Sequence, residues 1–327
     1  MRRREFIATL SGAAAWPLTA RAQPTGKRLT VALLTADPDN PLVQPALAAL
    51  VAELRKLGFT EGGNLIVESR RIEKESSKSL AALAELVNSK VDVIVAIGPE
   101  IVLKVAAEAT RTIPIVMIAT NFDPIAGGYV SNIARPTGNI TGLIFLAPEL
   151  AAKQLELLTE AFPNGQPIAA LWESDSAEQF NAAQRVAQSR HIELSSHKLE
   201  KLPIDFDKAF AAIVHDGSRS VLVLSGPSFT AQRSHIADLA IQHRLPTMFT
   251  FKLYVEAGGL MSYGIDVIPI FRRAASYVAK ILRGAKPSDL PIEQPSNFEF
   301  ALNLKTANAI GVTLPTSILL RADEVIE

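Results

Sequence analysis

Val93-Ile94-Val95-Ala96-Ile97-Gly98-Pro99 and Val221-Leu222-Val223-Leu224-Ser225-Gly226-Pro227 repeat one pattern, an apolar run closed by Gly-Pro. A run that is apolar at every position hides both faces, as strands inside a parallel sheet do. Glycine permits a tight exit from the strand, and proline suits the first turn of the helix that follows. Each copy continues through a helical stretch to an apolar residue and proline, Ile113-Pro114 and Leu245-Pro246, and then to another strand. The repeat predicts two related α/β lobes. Ligands of open parallel sheets sit beyond the carboxyl ends of the strands, against helix N-termini, so two such lobes facing each other predict a cleft.

Outward from these runs, short β-branched segments alternate with amphipathic ones. Strands are expected over 29–35, 65–71, 91–97 and 115–118. Between them fall helices over 41–57, over a stretch capped by Ser76 or Ser77 and ending at Asn88, and over 99–109. The first helix carries Val43, Leu47, Leu50, Val51 and Leu54 on one face and stops at Gly58. The alternation resumes with helices over 150–161, 177–190, 206–214 and 231–243 and strands over 168–172, 192–197, 221–224 and 247–250. No low-complexity linker separates the halves.

The N-terminus reads as an export signal. Arg2, Arg3 and Arg4 precede a weakly apolar run from Ala8 to Leu18, and Ala20-Arg21-Ala22 supplies a small-x-small cleavage site. The run is too short to span a bilayer and is broken by Gly12 and Pro17. Cleavage after Ala22 is expected. The arginines and the charge at Arg21 suit the twin-arginine route, with the general secretory route as the alternative. Removing residues 1–22 takes four arginines and Glu5 from 33 basic and 33 acidic residues, leaving a small acidic excess. That balance offers no electrostatic footprint for nucleic acid or for an anionic membrane surface. The mature length of roughly 305 residues exceeds what one core usually serves. The chain has no cysteine, hence neither disulfides nor a lipid-modified N-terminal cysteine, and a free periplasmic protein is expected.

Enzyme signatures are missing. The sequence holds no G-x-G-x-x-G, Walker A, G-x-S-x-G or H-E-x-x-H pattern. The histidines (191, 197, 215, 235 and 243) lack metal-ligand spacing. Asp37-Pro38-Asp39-Asn40 lacks the glycine and the later glutamate of a calcium loop, leaving a cap or a cleft-edge carboxylate. Ser225 and Ser228 have no paired histidine in any local signature. Neither enzyme activity, metal nor cofactor is expected.

The C-terminal third carries a more specific pattern: Glu256-Ala257-Gly258-Gly259-Leu260-Met261-Ser262-Tyr263-Gly264, then Arg272-Arg273-Ala274-Ala275 through Arg283-Gly284-Ala285-Lys286-Pro287 to Leu290-Pro291, then Glu293-Gln294-Pro295 and Asn303-Leu304-Lys305-Thr306-Ala307. Asp123-Pro124 and Ala134-Arg135-Pro136-Thr137-Gly138-Asn139-Ile140-Thr141-Gly142 stand where the equivalent run is found. Across essentially the whole mature chain the sequence resembles the ABC-transporter substrate-binding proteins of the type I periplasmic-binding fold. The resemblance implies two Rossmann-like lobes with parallel sheets joined by a three-stranded hinge. It implies crossings near 143–146, 261–264 and 295–298, with residues 28–143 and 264–296 in the first lobe and 144–263 and 297–327 in the second. Gly264 and the prolines from 287 to 295 are expected to give the hinge its latitude and stiffness. The implied protein is a monomeric receptor that delivers a small-molecule ligand, among them amino acids, to an ABC importer permease and its ATPase, meeting the membrane only there. A ligand-sensing protein feeding a chemoreceptor or sensor kinase is the alternative, and an exported hydrolase is a further one.

Strand ends supply the candidate site. In the first lobe these are Thr35 and Asp37, then Gly98, Pro99 and Glu100, then Asn121, Phe122 and Asp123. In the second lobe they are Trp172, Glu173 and Ser174, then Ser225 and Gly226, then Phe251. Asp123, at the Asp-Pro pair the resembling family carries, is expected either to meet a ligand ammonium or to cap the next helix. Trp172 and Phe251 are expected either to wall an apolar ligand group or to belong to the core.

Overall fold

The computed structural model describes residues 28–73, 91–145, 147–200, 203–294 and 298–327. The export signal, the helix expected to end at Asn88, Leu146 and residues 295–297 lie outside them.

The architecture is α/β, with two parallel-sheet lobes. The first sheet holds β1 (Leu29–Thr35), β2 (Leu65–Arg71), β3 (Val93–Gly98), β4 (Ile115–Thr120) and β5 (Ile140–Phe145), ordered β2-β1-β3-β4-β5. Every pairing in it is parallel. The second holds β6 (Ile168–Trp172), β7 (Leu194–Lys198), β8 (Ser220–Val223), β9 (Thr247–Phe249), β10 (Met261–Ile265), β11 (Phe298–Asn303) and β12 (Glu324–Ile326), ordered β12-β11-β10-β9-β8-β6-β7. Among the described residues of this sheet only β10 and β11 pair antiparallel.

The sequence pattern explains the layers. β3 is buried along Val93–Ile97, as an all-apolar run inside a sheet requires. Helix Val43–Lys56 buries Ala46, Leu50 and Leu54, the i, i+4, i+8 stripe, and Leu47 and Val51 pack beside it. Its end is set by Gly58, whose φ of 91° is a left-handed conformation, while its N–H bonds the Arg55 carbonyl.

After β5 the chain leaves the first sheet, and helix Ala147–Ala161 packs on β8, β9 and β10. After β10 it returns: helix Val267–Leu282 lies on helix Val43–Lys56 and reaches β3, β4 and β5. Residues 290–293 then lace onto β5. Thr141 Oγ1 donates to the Leu290 carbonyl at 2.7 Å, Ile144 N–H to the Glu293 carbonyl at 2.9 Å, and Glu293 N–H to the Gly142 carbonyl at 3.0 Å. Arg273 holds the Glu293 carboxylate through Nε and Nη2 at 2.7 and 2.5 Å, tying the returning helix to this segment. β11 is back in the second sheet.

Gly264, expected at the second crossing, is still in the second sheet. It pairs with Glu299, and Ile265 with Phe298, so the sheet changes after Ile265. Its glycine is required by contact. A Cβ there would stand 1.7 Å from the Thr250 carbonyl oxygen, so β10 lies directly on the backbone that precedes Phe251.

Candidate functional site

A cavity of about 310 Å³ lies between the lobes at the carboxyl ends of β1, β3 and β4, within the usual range for small-molecule sites. Of the residues expected at strand ends, the structure brings eight to it: Thr35, Asp37, Gly98, Pro99, Asn121, Ser225, Gly226 and Phe251. The first-lobe wall is built by chain direction. Gly98 leaves β3 at φ 114°, where a side chain is strained, and Pro99 then caps helix Glu100–Ala109. Asn121 leaves β4 at φ 63°, a conformation asparagine tolerates, and its Oδ1 is buried without a partner.

The second-lobe wall is held by side chains beneath it. Gln179 clamps Ser225, its Oε1 accepting the Ser225 N–H at 3.0 Å and its Nε2 donating to the Ser225 carbonyl at 3.3 Å. The Ser225 N–H is therefore spent inside the protein. Gly226 has an extended backbone, φ −151°, so the turn is not what selects glycine there. A Cβ at Gly226 would meet Glu173 Oε1 at 2.1 Å, and the glycine is what lets that carboxylate lie against the cavity wall. Ser228 donates to the Glu173 carboxylate from its hydroxyl and its N–H, whereas Oε1 is buried with no partner. Burial raises the Glu173 pKa above the ordinary carboxylate value, the Ser228 bonds oppose this, and nearby Asp175 raises it further.

The other six expected residues do not line the cavity. Glu100 Oε1 accepts the Tyr129 hydroxyl at 2.9 Å, and Phe122 meets the Tyr129 ring edge-on at 6.2 Å. Asp123 is exposed, and its Oδ1 accepts the Ile125 N–H at 2.8 Å; residues 124–128 form a turn, so the side chain closes that turn instead of capping a helix. Trp172 lies flat on Phe180, 4.6 Å between centroids, with Nε1 donating to Ser196 Oγ at 2.9 Å. Its ring packs within the second lobe. Ser174 is exposed at the start of a 3-10 turn, Ser174–Ser176, whose last residue is buried. Glu173 stands one layer behind Gly226.

Sequence reasoning missed several wall residues. Asp175 follows the end of β6 by three positions, and Thr230 lies one helical turn past Gly226, so both extend signals already present. Phe145, within the first expected crossing, and Ile265, Val267, Ile270 and Phe271, at no expected strand end, form much of the apolar wall. Among the residues lining the cavity, Asp37 and Asp175 carry charge and none is cationic. Asp37 is flanked outside the lining by Arg71, 3.7 Å away, which pairs more closely with Asp39 at 2.5 Å. Asn40 Oδ1 accepts the Leu42 N–H at 2.9 Å, so the Asp37–Asn40 stretch serves as cap and cleft edge. Among the described residues no cluster of three His, Asp or Glu is placed to hold a metal.

The sequence profile of ABC transporter substrate binding proteins matches residues 41–326. The chain belongs to that family. A tyrosine-binding protein of Clostridioides difficile (strain R20291) is 23% identical over 279 residues, covering 84% of this substrate-binding protein and 79% of the relative. A conserved domain protein of Vibrio cholerae O1 biovar El Tor superposes with a TM-score of 0.81 at 26% identity, over 91% of this chain and 100% of that one. An ABC domain from Streptococcus pneumoniae in complex with L-Trp superposes with a TM-score of 0.75 at 23% identity, over 91% and 100%. The family is one of substrate-binding proteins rather than enzymes, and ABC substrate-binding proteins are typically extracytoplasmic. Among the described residues of this substrate-binding protein no helix is long and apolar enough to cross a membrane.

Proposed function

We propose that the chain is an exported receptor that captures an α-amino acid with a large apolar or aromatic side chain between its lobes and hands it to an ABC importer permease with its ATPase. The observation that carries this reading is the charge and polarity of the cavity wall: two carboxylates, Asp37 and Asp175, no cationic side chain, and an apolar surface rich in phenylalanine. An ammonium group is the natural partner of such carboxylates and of the partnerless Asn121 Oδ1. The ligand carboxylate is left to main-chain N–H groups and to the Thr35 hydroxyl, since the Thr230 hydroxyl already donates to the Gly226 carbonyl. Relatives that bind tyrosine or hold L-Trp support the choice of side chain. The lobes then act as the units that close, residues 1–22 are removed on export, and Asp37 and Asp175 replace Asp123 as the ammonium partners.

Calorimetry on the mature protein with L-tryptophan, L-tyrosine, L-leucine and the matching amines and acids tests this. Asp175→Asn and Asp37→Asn are expected to weaken binding of the amino acid by roughly 1.5–3 kcal/mol, the range for hydrogen bonds to charged groups. Equal affinity for the deaminated acid, or indifference to both substitutions, would exclude the ammonium assignment.

A further inference from the structure

Much of the apolar wall of the cavity is made by the segments that change sheets. Phe145 ends β5, Ile265 ends β10, and Val267, Ile270 and Phe271 stand in the first two turns of the helix that carries the chain back. The corner between Ile265 and Val267 is firmly built. Asp266 Oδ1 caps the helix by accepting the Ile268 N–H at 2.9 Å. Two residues earlier, Gly264 lies on the Thr250 carbonyl, so this corner and Phe251 are packed as one piece. The Phe251 ring in turn meets Phe145, with centroids 6.1 Å apart. Anything that packs against this apolar wall therefore touches two of the crossings directly.

In a two-lobed receptor the crossings are the residues that absorb the change in backbone angles on closure. A ligand shifts that equilibrium only through contacts that differ between the open and closed forms. We propose that the second crossing, Ile265-Asp266-Val267, is the specificity element of the cleft: the ligand's apolar group packs on it, and the size of that group sets both affinity and closure. This rests on the cleft being the binding site and adds which part of it reads the ligand. Val267 is the residue to alter, because it lines the cavity and is only half-buried.

The test uses the mature protein with four probes, indole, L-tryptophan, L-leucine and L-alanine, measured by calorimetry and small-angle scattering. Indole carries no charge and reports the apolar floor alone. Val267→Phe is expected to weaken indole and L-tryptophan on the order of tenfold or more, as pocket volume changes of this size do. It should shift the ranking towards L-alanine and abolish the compaction that L-tryptophan induces in the parent. Should Val267→Phe melt early, Val267→Ala takes its place, with L-tryptophan expected to gain on L-alanine. An unchanged ranking and unchanged indole affinity in a folded variant overturn the assignment while leaving the amino-acid reading intact. Indole binding that depends on Val267 when no amino acid binds sinks the amino-acid reading and keeps the crossing as the apolar reader. A parent that binds none of the probes overturns both.

Discussion

Glu173 illustrates what a single residue position hides from a sequence reading. At a strand end it resembles a ligand contact, but it lies behind Gly226 with Oε1 buried and unpartnered. Because burial raises its pKa, the folded protein holds this proton more tightly than the unfolded chain does. Its contribution is therefore most favourable below the unfolded carboxylate pKa and is lost as pH rises through the higher folded value. Glu173→Gln is accordingly expected to raise the melting temperature near neutral pH and to have a smaller effect in acid. Melting curves of both proteins from pH 4 to 8 check this, and a difference that does not grow with pH would refute it. Asp123→Asn, by contrast, keeps the turn and is expected to leave ligand affinity unchanged, which calorimetry reads directly. The two roles open for Asp123 and for Trp172 were separated only by structure. Whether a side chain at a strand end turns to the cleft or to its own lobe depends on neighbours outside the strand, Tyr129 beside Glu100 or Phe180 under Trp172.

Secondary structure was far more legible, because a period of two or of 3.6 is local. The strands Leu29–Thr35, Leu65–Arg71 and Ile168–Trp172 and the helices Val43–Lys56 and Glu100–Ala109 follow the apolar pattern closely. What the pattern did not single out were β5 and β10, interrupted by Gly142 and Gly264, and β12, which has only three residues. In β10 the glycine serves close packing against Thr250. Gly264→Ala is therefore expected to destabilise the protein by on the order of 3 kcal/mol or more, as overpacking against a rigid backbone does. Denaturant unfolding measures it. A loss of a few tenths would mean that β10 and Thr250 separate freely, and would remove the coupling between the second crossing and Phe251. The paired glycines of the repeated Gly-Pro motif also differ: Gly98 is needed for its φ of 114°, Gly226 for the Glu173 contact. The repeat correctly announced two lobes, yet the same dipeptide does different physical work in each.

For the whole molecule, a cavity walled by both lobes makes ligand binding and lobe position one equilibrium. A ligand at one hundred times its dissociation constant is expected to add about 2.7 kcal/mol of stability. The radius of gyration from small-angle scattering is expected to fall at the same time, and an unchanged radius at saturation would indicate a preformed pocket. Replacing Arg3 and Arg4 by lysine is expected to strand the precursor inside the cell if the folded-export route is used, whereas normal export of that variant would assign the general secretory route. The return of the Val267–Leu282 helix to the first sheet bears also on synthesis. When the ribosome has finished β5, the face of β3, β4 and β5 that this helix covers, together with the flank of helix Val43–Lys56, has no cover yet. The lobe begun first thus cannot be completed until nearly the whole of the second has emerged, and maturation of the chain is timed by its last third.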